Sequence, residues 1–232
     1  MVNTVSTGCP SLDKTMGNGL PMGQLTLVYG ESNTGKTTLA IQCAIVSARN
    51  GLKTIFIDSD NTFSPIRLSQ IAYHDVASVS PLIFVLKPHT FHEQSLLIEN
   101  LSSYLTKDVV FIVVDTITSL YRAELESIEK IFSLNRELNR QLAYLGETAK
   151  THNVAVLIVS QVRDIFRGKE SNKLIEPVAT RVLKFWPQNI LCLNNAFQSL
   201  VKEAIVEKNS NPSDISSSCY YVLNKMGIID LD

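Results

Sequence analysis

Two runs of the chain, 109-VVFIVVD-115 and 154-VAVLIVS-160, are apolar at every position but the last. A strand with one wet face alternates apolar and polar residues. A run without alternation belongs to a strand covered on both sides, as in a parallel sheet flanked by helices. The neighbouring segments supply those helices. Gln24–Tyr29 is a short β-type run, and residues 36–50 read as a helix rich in Ala, Leu, Ile and Val, stopped by Gly51. "TIFID" (Thr54–Asp58) and "LIFVL" (Leu82–Leu86) are further strands. Pro65 opens a helix through Tyr73. Thr90 and Glu93 have capping-box spacing for a helix running to about Leu105. A long helical stretch, Ile128–Thr151, places Ile131, Leu134, Leu138, Leu142 and Leu145 on one face.

Beyond Ser160 the pattern changes. Residues 163–177 read as a polar, basic loop. Three β-type runs follow, Ile190–Leu193, Leu200–Val206 and Tyr220–Leu223, the last two joined antiparallel through the turn-rich segment 209–218. The expected fold is α/β, a mostly parallel sheet flanked by helices with a C-terminal antiparallel extension, forming one domain over residues 1–232. The composition, 45% hydrophobic and 19% charged, is that of an ordinary soluble globule. A net charge of -1 announces no strongly basic nucleic-acid binder and leaves room for a local basic patch. Cys9, Cys43, Cys192 and Cys219 lie far apart and read as buried thiols of a reducing compartment. With no secretory leader and no apolar run of membrane-spanning length, the expected location is cytoplasmic.

The segment 30-GESNTGKTT-38 carries the chemistry. Gly30, Glu31, Ser32, Asn33, Thr34, Gly35, Lys36 and Thr37 follow the spacing G-x-x-x-x-G-K-T, with Thr38 next. Glycines let the backbone fold so that several N–H groups converge on one anion. The helix that follows adds its positive N-terminal end. Lys36 then reaches the β- and γ-phosphates, and the Thr37 hydroxyl ligates Mg²⁺. Chance alone produces this pattern in such a chain on the order of 1% of the time. Asp115, at the end of the buried "VVFIVVD" strand, is the second Mg²⁺ group. Attack by water on a phosphate also needs a base, and Asp58 and Asp60 end the "TIFIDSD" strand. Gln161, directly after "VAVLIVS", is placed to sense the γ-phosphate. His89 and His92 read as surface or capping residues rather than metal ligands, and Trp186 as core.

Several blocks, taken in order, resemble the RecA/RadA recombinase core over nearly the whole chain. They are "TGCPSLDKTMGNGLPMGQLTLVYGESNTGKTT", "FIDSDNTFSPIRLSQIA", "DTITSLYRAELESI", "RELNRQLAYLGETAKTHNVAVLIVSQV" and "CYYVLNKMGIID". "LYRAELES" followed by "RELNRQLAYL" is most similar to the short archaeal paralogues of RadA. The resemblance implies a RecA-like P-loop core that uses ATP and Mg²⁺. Lys36, Thr37 and Asp115 then hold phosphate and metal, Gln161 couples nucleotide state to the adjoining loop, and Arg67 packs on adenine. It further implies a weak ATPase, nucleoid-associated, that binds single-stranded or branched DNA. Such a protein assists recombination and repair without being the main strand-exchange protein, alongside RadA or a Holliday-junction resolvase.

Three departures from that family matter. Asp60 stands where RadA-like recombinases carry a catalytic glutamate, which implies slow hydrolysis. The matching block starts within a few residues of Met1, so the N-terminal helical DNA-binding domain is expected to be absent, and no F-x-x-A assembly motif occurs. The first DNA loop offers Arg122 and Lys130 among glutamates, whereas the second, "VRDIFRGKESNK", interleaves Arg163, Arg167, Lys169 and Lys173 with Phe166. Two other readings stay open. One is a nucleotide-switched scaffold acting on RadA or a junction nuclease with negligible hydrolysis. The other is a KaiC-like signalling ATPase built on the same core.

Overall fold

A computed structural model describes residues 3–125, 128–165, 174–210 and 218–231. The chain opens with β1 (Thr4–Val5), the helix α1 (Pro10–Thr15) and β2 (Leu20–Pro21), with β1 and β2 paired antiparallel. An alternating layer follows: β3 (Leu25–Gly30), α2 (Lys36–Arg49), β4 (Lys53–Asp58), α3 (Pro65–Ala72), α4 (Val76–Val79) and β5 (Ile83–Leu86). It continues through α5 (Phe91–Glu99), α6 (Leu101–Tyr104), β6 (Val109–Asp115), α7 (Ser119–Ala123), α8 (Ile128–His152) and β7 (Ala155–Ser160). Then come β8 (Val162–Ile165), β9 (Leu174–Pro177), α9 (Thr180–Phe185), β10 (Asn189–Asn195), β11 (Val201–Lys208), β12 (Ser218–Asn224) and β13 (Gly227–Asp230).

The main sheet has the order β13-β12-β11-β10-β3-β7-β6-β4-β5. Pairing is parallel from β10 across to β5 and antiparallel from β10 out to β13. The fully apolar runs sit centrally, and every residue of β3, β6 and β7 is buried. Alternate side chains of one strand feed two cores. Ala155, Leu157 and Val159 pack with α2, while Val156 and Ile158 pack with α8. Helix α8 presents Leu134, Leu138, Leu142 and Leu145 to the second core. Trp186 joins its edge, donating from Nε1 to Asn139 Oδ1 at 3.0 Å.

Several expectations need correction. The stretch 163–177 is not loop throughout, because Val162–Ile165 pairs antiparallel with Leu174–Pro177. Its charged residues hid two short strands from the sequence pattern, and Val162 and Ile175 pack against the second core. The helix expected to reach Leu105 breaks at Asn100 into α5 and α6. Its cap is as expected on one side, with Thr90 Oγ1 accepting from Glu93 N at 3.0 Å. Glu93 returns its carboxylate to the N–H of His89, one residue before the cap, at 2.8 Å. β10, read as part of an antiparallel tail, is parallel to β3, and β13 had no sequence signal at all. Cys9, Cys43 and Cys192 are buried as expected, but Cys219 is only half-buried. No helix among the described residues is long and apolar enough to cross a membrane.

Leu142 is fully buried where α8 meets the sheet. Leu142→Ala should therefore lower unfolding free energy by about 2–5 kcal/mol, read from urea denaturation.

Candidate functional site

The glycine loop joins β3 to α2 at the carboxyl end of the parallel strands, beside β10. Gly30 is obligatory because a Cβ there would lie 2.0 Å from the Leu193 carbonyl oxygen of β10. Gly35 precedes α2 with φ of 94°, a left-handed conformation that glycine adopts without steric cost. The first N–H groups of α2 have no intrahelical carbonyl to bond, which makes its start an anion site. Inside the loop, Thr34 Oγ1 donates to Glu31 O at 2.8 Å. Lys36 Nζ donates to Gly30 O at 3.0 Å and Glu31 O at 2.7 Å. Burial lowers the pKa of Lys36, and the Asp115 charge opposes that shift. The Glu31 side chain is structural: its carboxylate accepts from Asn195 N and Nδ2 at 2.9 and 2.7 Å. Ser32 and Asn33 are exposed at the mouth of the loop.

Strands β4 and β6 are neighbours in register, with Asp58 opposite Asp115. Asp115 is fully buried, and neither carboxylate oxygen has a hydrogen-bond partner among the described residues. Burial pushes its pKa up to about 7. The Thr37 hydroxyl is near enough to pull it down without forming a bond in good geometry, while Asp58 and Asp60 push it further up and Lys36 opposes them. An unpaired buried carboxylate is costly. A divalent cation shared with the Thr37 hydroxyl would supply the missing partner. This all-oxygen donor set suits Mg²⁺, so the residues present fit that metal.

The two aspartates after β4 divide their work. Asp58 accepts from the N–H groups of Thr62 and Phe63 at 2.9 and 3.2 Å and pairs with Lys87 at 3.4 Å, closing the turn. Asp60 is left to face the site, where its Oδ2 accepts from Gln161 Nε2 at 3.1 Å. Gln161 Oε1 in turn accepts from Arg122 Nη1 on α7. The Gln161 main chain is also tied, its N–H to Thr118 Oγ1 at 3.3 Å and its carbonyl to Val178 N at 3.0 Å. Gln161 thus links the end of β4, α7 and the base of the β8–β9 pair.

Arg67 lies beside the start of α2. Nε donates to Thr38 Oγ1 at 3.3 Å, Nη1 to Lys225 O at 2.9 Å and Nη2 to Asn224 O at 2.7 Å. Its edge is therefore committed to the β12–β13 turn and Thr38. Among the DNA-contact candidates, Arg122 is exposed and borders an open groove of about 580 Å³ with Tyr121, Leu125, Ile131, Val178 and Arg181. The Arg163 backbone pairs with Glu176 in the β8–β9 ladder. Phe166, Arg167, Lys169 and Lys173 lie outside the described residues. Sequence reasoning missed Asn195, Thr118, Gln42 and Tyr221. Asn195 and Tyr221 stand 164 and 187 residues from their partners in the loop, so only the fold reveals them, whereas Gln42 lies on α2 itself and Thr118 three residues after Asp115, outside the spacing that marks a phosphate site.

The model of the Rad51 protein family matches residues 1–231. A Methanosphaera stadtmanae protein described as DNA repair and recombination protein RadB is 33% identical over 221 residues, covering 94% of this chain and 93% of that one. A RadB protein of Thermococcus gammatolerans is 34% identical over 230 residues, 98% of this chain and 99% of its own. A solved structure described as a crystal structure of the RadB recombinase aligns with a TM-score of 0.82 at 30% identity, covering 99% of this chain and 100% of that one.

The raised pKa of Asp115 gives a signed prediction for metal-free protein. Between about pH 4 and pH 7 the folded state holds a proton that the unfolded chain has released, so stability falls as pH rises through that window. The full effect is up to about 4 kcal/mol. Urea midpoints should place Asp115→Asn above wild type at pH 8, with the gap closing toward pH 4. Added Mg²⁺ should raise the wild-type midpoint at pH 8 and leave that of the variant unchanged.

Proposed function

This chain belongs to the Rad51 family, and from that premise we propose that it is an ATP-binding, weakly hydrolysing recombinase paralogue that binds DNA and assists recombination and repair. Proteins of the Rad51/RecA family are in general ATPases. The observation that carries the reading here is the buried, unpaired Asp115 carboxylate beside Thr37 and the glycine loop. In this reading the loop N–H groups and Lys36 hold the β- and γ-phosphates. Thr37 and Asp115 hold Mg²⁺, which when bound neutralises charge developing on the phosphate oxygens. Asp60 orients the attacking water and accepts its proton, and Gln161 reports the state of the γ-phosphate to the segment that follows it. Arg67 offers its planar face to adenine. The whole chain, residues 1–232, acts as one domain.

Slow hydrolysis follows from Asp60. Its carboxylate is one methylene shorter than that of a glutamate, a retreat of ~1.5 Å. Displacements of that size cost of order 10²-fold in rate. Asp60 is also engaged by Gln161. The same hydrogen bond favours a second reading, a nucleotide-switched scaffold with negligible turnover that acts through RadA or a junction resolvase. For DNA, single-stranded or branched, the support is the description of the RadB relatives as DNA repair and recombination proteins, together with Arg122, Arg163, Phe166, Arg167, Lys169 and Lys173. A nucleoid-associated cytoplasmic location accords with that role.

ATP turnover with Mg²⁺, with and without single-stranded DNA and with Lys36→Ala as the blank, tests the reading. The expected result is low turnover above the blank, raised by DNA. Tight ATP binding with turnover at the blank level and no response to DNA would leave the scaffold. Asp60→Glu should raise turnover, and an equal or lower rate in that variant would remove side-chain reach as the reason for slow hydrolysis.

A further inference from the structure

The far end of the chain walls the glycine loop. On β12, residues 221 and 223 project to the same side. Tyr221 is fully buried, and its hydroxyl donates to the Thr34 carbonyl oxygen at 2.6 Å. Burial raises the phenol pKa far above its ordinary value, so the group remains a donor. The Leu223 side chain lies over Gly35, where an added Cβ would meet it at 3.0 Å. At the β12–β13 turn, the Asn224 and Lys225 carbonyls accept from Arg67, which also bonds Thr38. On β13, the Ile228 N–H donates to Gln42 Oε1 at 2.7 Å and its carbonyl accepts from Gln42 Nε2 at 2.9 Å, both buried. Passing along the hairpin, the contacts step through Thr34, Gly35, Thr38 and Gln42, in the order of the loop and its helix.

The Thr34–Gly35 peptide is the one that needs holding. In a planar trans peptide the carbonyl and the following N–H point in opposite directions. Gly35 has φ of 94° and, as a glycine, adopts positive and negative φ about equally readily, so its own backbone preference does not hold this peptide against a flip. Fixing the Thr34 oxygen on the outer side turns the Gly35 N–H inward, toward the anion. We propose that Tyr221 is a positioning residue of the nucleotide site, its hydroxyl orienting the Gly35 N–H into the phosphate cradle from the C-terminal hairpin. The inference rests on the nucleotide-binding reading above and adds a residue outside the loop motif.

Tyr221→Phe keeps the ring and removes only the hydroxyl. Losing one hydrogen bond of ordinary worth should raise the Kd for ADP and ATP about three- to tenfold. The Kd for AMP, which lacks the β-phosphate that the loop holds, should not move. Leu223→Ala, which opens the same wall over Gly35, should show the same selectivity. Tyr220→Phe, altered on the exposed face of β12, should match wild type. The unfolding midpoint of Tyr221→Phe should fall whether or not the hydroxyl positions the loop, so affinity is the deciding readout. Wild-type ADP affinity in Tyr221→Phe, or equal losses for ADP and AMP, would overturn the inference while leaving the nucleotide site intact. Failure of the wild-type protein to bind ADP or ATP would overturn the nucleotide reading and this inference with it.

Discussion

Burial of β3, β6 and β7 on both faces is the constraint from which the remaining architecture follows. Strands without a wet face must have a helix layer on either side, and α2 and α8 fill those places. Parallel pairing then sets where chemistry can occur, because parallel strands end together and their loops leave from one edge. The register makes this explicit. Gly30 lies opposite Leu193, Tyr29 opposite Ser160, Asp115 opposite Val159 and Asp58 opposite Asp115. The glycine loop, the turn after β4, α7 and the β8–β9 pair therefore all begin within one small region.

Within that region the sheet places charge where a metal would compensate it. Asp115 carries the electrostatic cost because it ends a central strand and is fully enclosed. Asp58, equally buried, is relieved by two backbone N–H donors and by Lys87. Two acids at paired strand ends thus have opposite fates, one satisfied by its own turn and the other left for an external partner. Asp60 falls two residues beyond β4, inside the turn that Asp58 closes, and its carboxylate meets Gln161. The connection from Asp60 through Gln161 to Arg122 gives the glycine-loop end of the sheet a direct physical link to α7 and the β8–β9 base.

The antiparallel extension is more than an appendage to this arrangement. β10 supplies the close backbone approach that requires glycine at position 30, and Asn195 at its end fixes Glu31. β12 and β13 reach past it to Thr34, Gly35 and Gln42. The loop is consequently held on one side by its own helix and on the other by strands about 160 to 190 residues later in the chain.

The sequence by itself determined the fold class, the glycine loop and the Asp115 strand end. Each is written in contiguous residues whose period or spacing reports local physics: unbroken apolar runs for doubly covered strands, and G-x-x-x-x-G-K-T for an anion cradle. It also placed Asp60 and Gln161 just beyond the ends of their strands, and strand ends of a parallel sheet lie along one edge. Only the tertiary structure decided which aspartate closes a turn and which faces the site, that Arg122 bonds Gln161, and that Tyr221 grips the glycine loop. β8, β9 and β13, four residues each, lack the unbroken apolar run that marked the equally short β5, and are defined by pairing rather than by pattern. Those outcomes depend on contacts between residues far apart in the chain, and no local periodicity encodes such contacts.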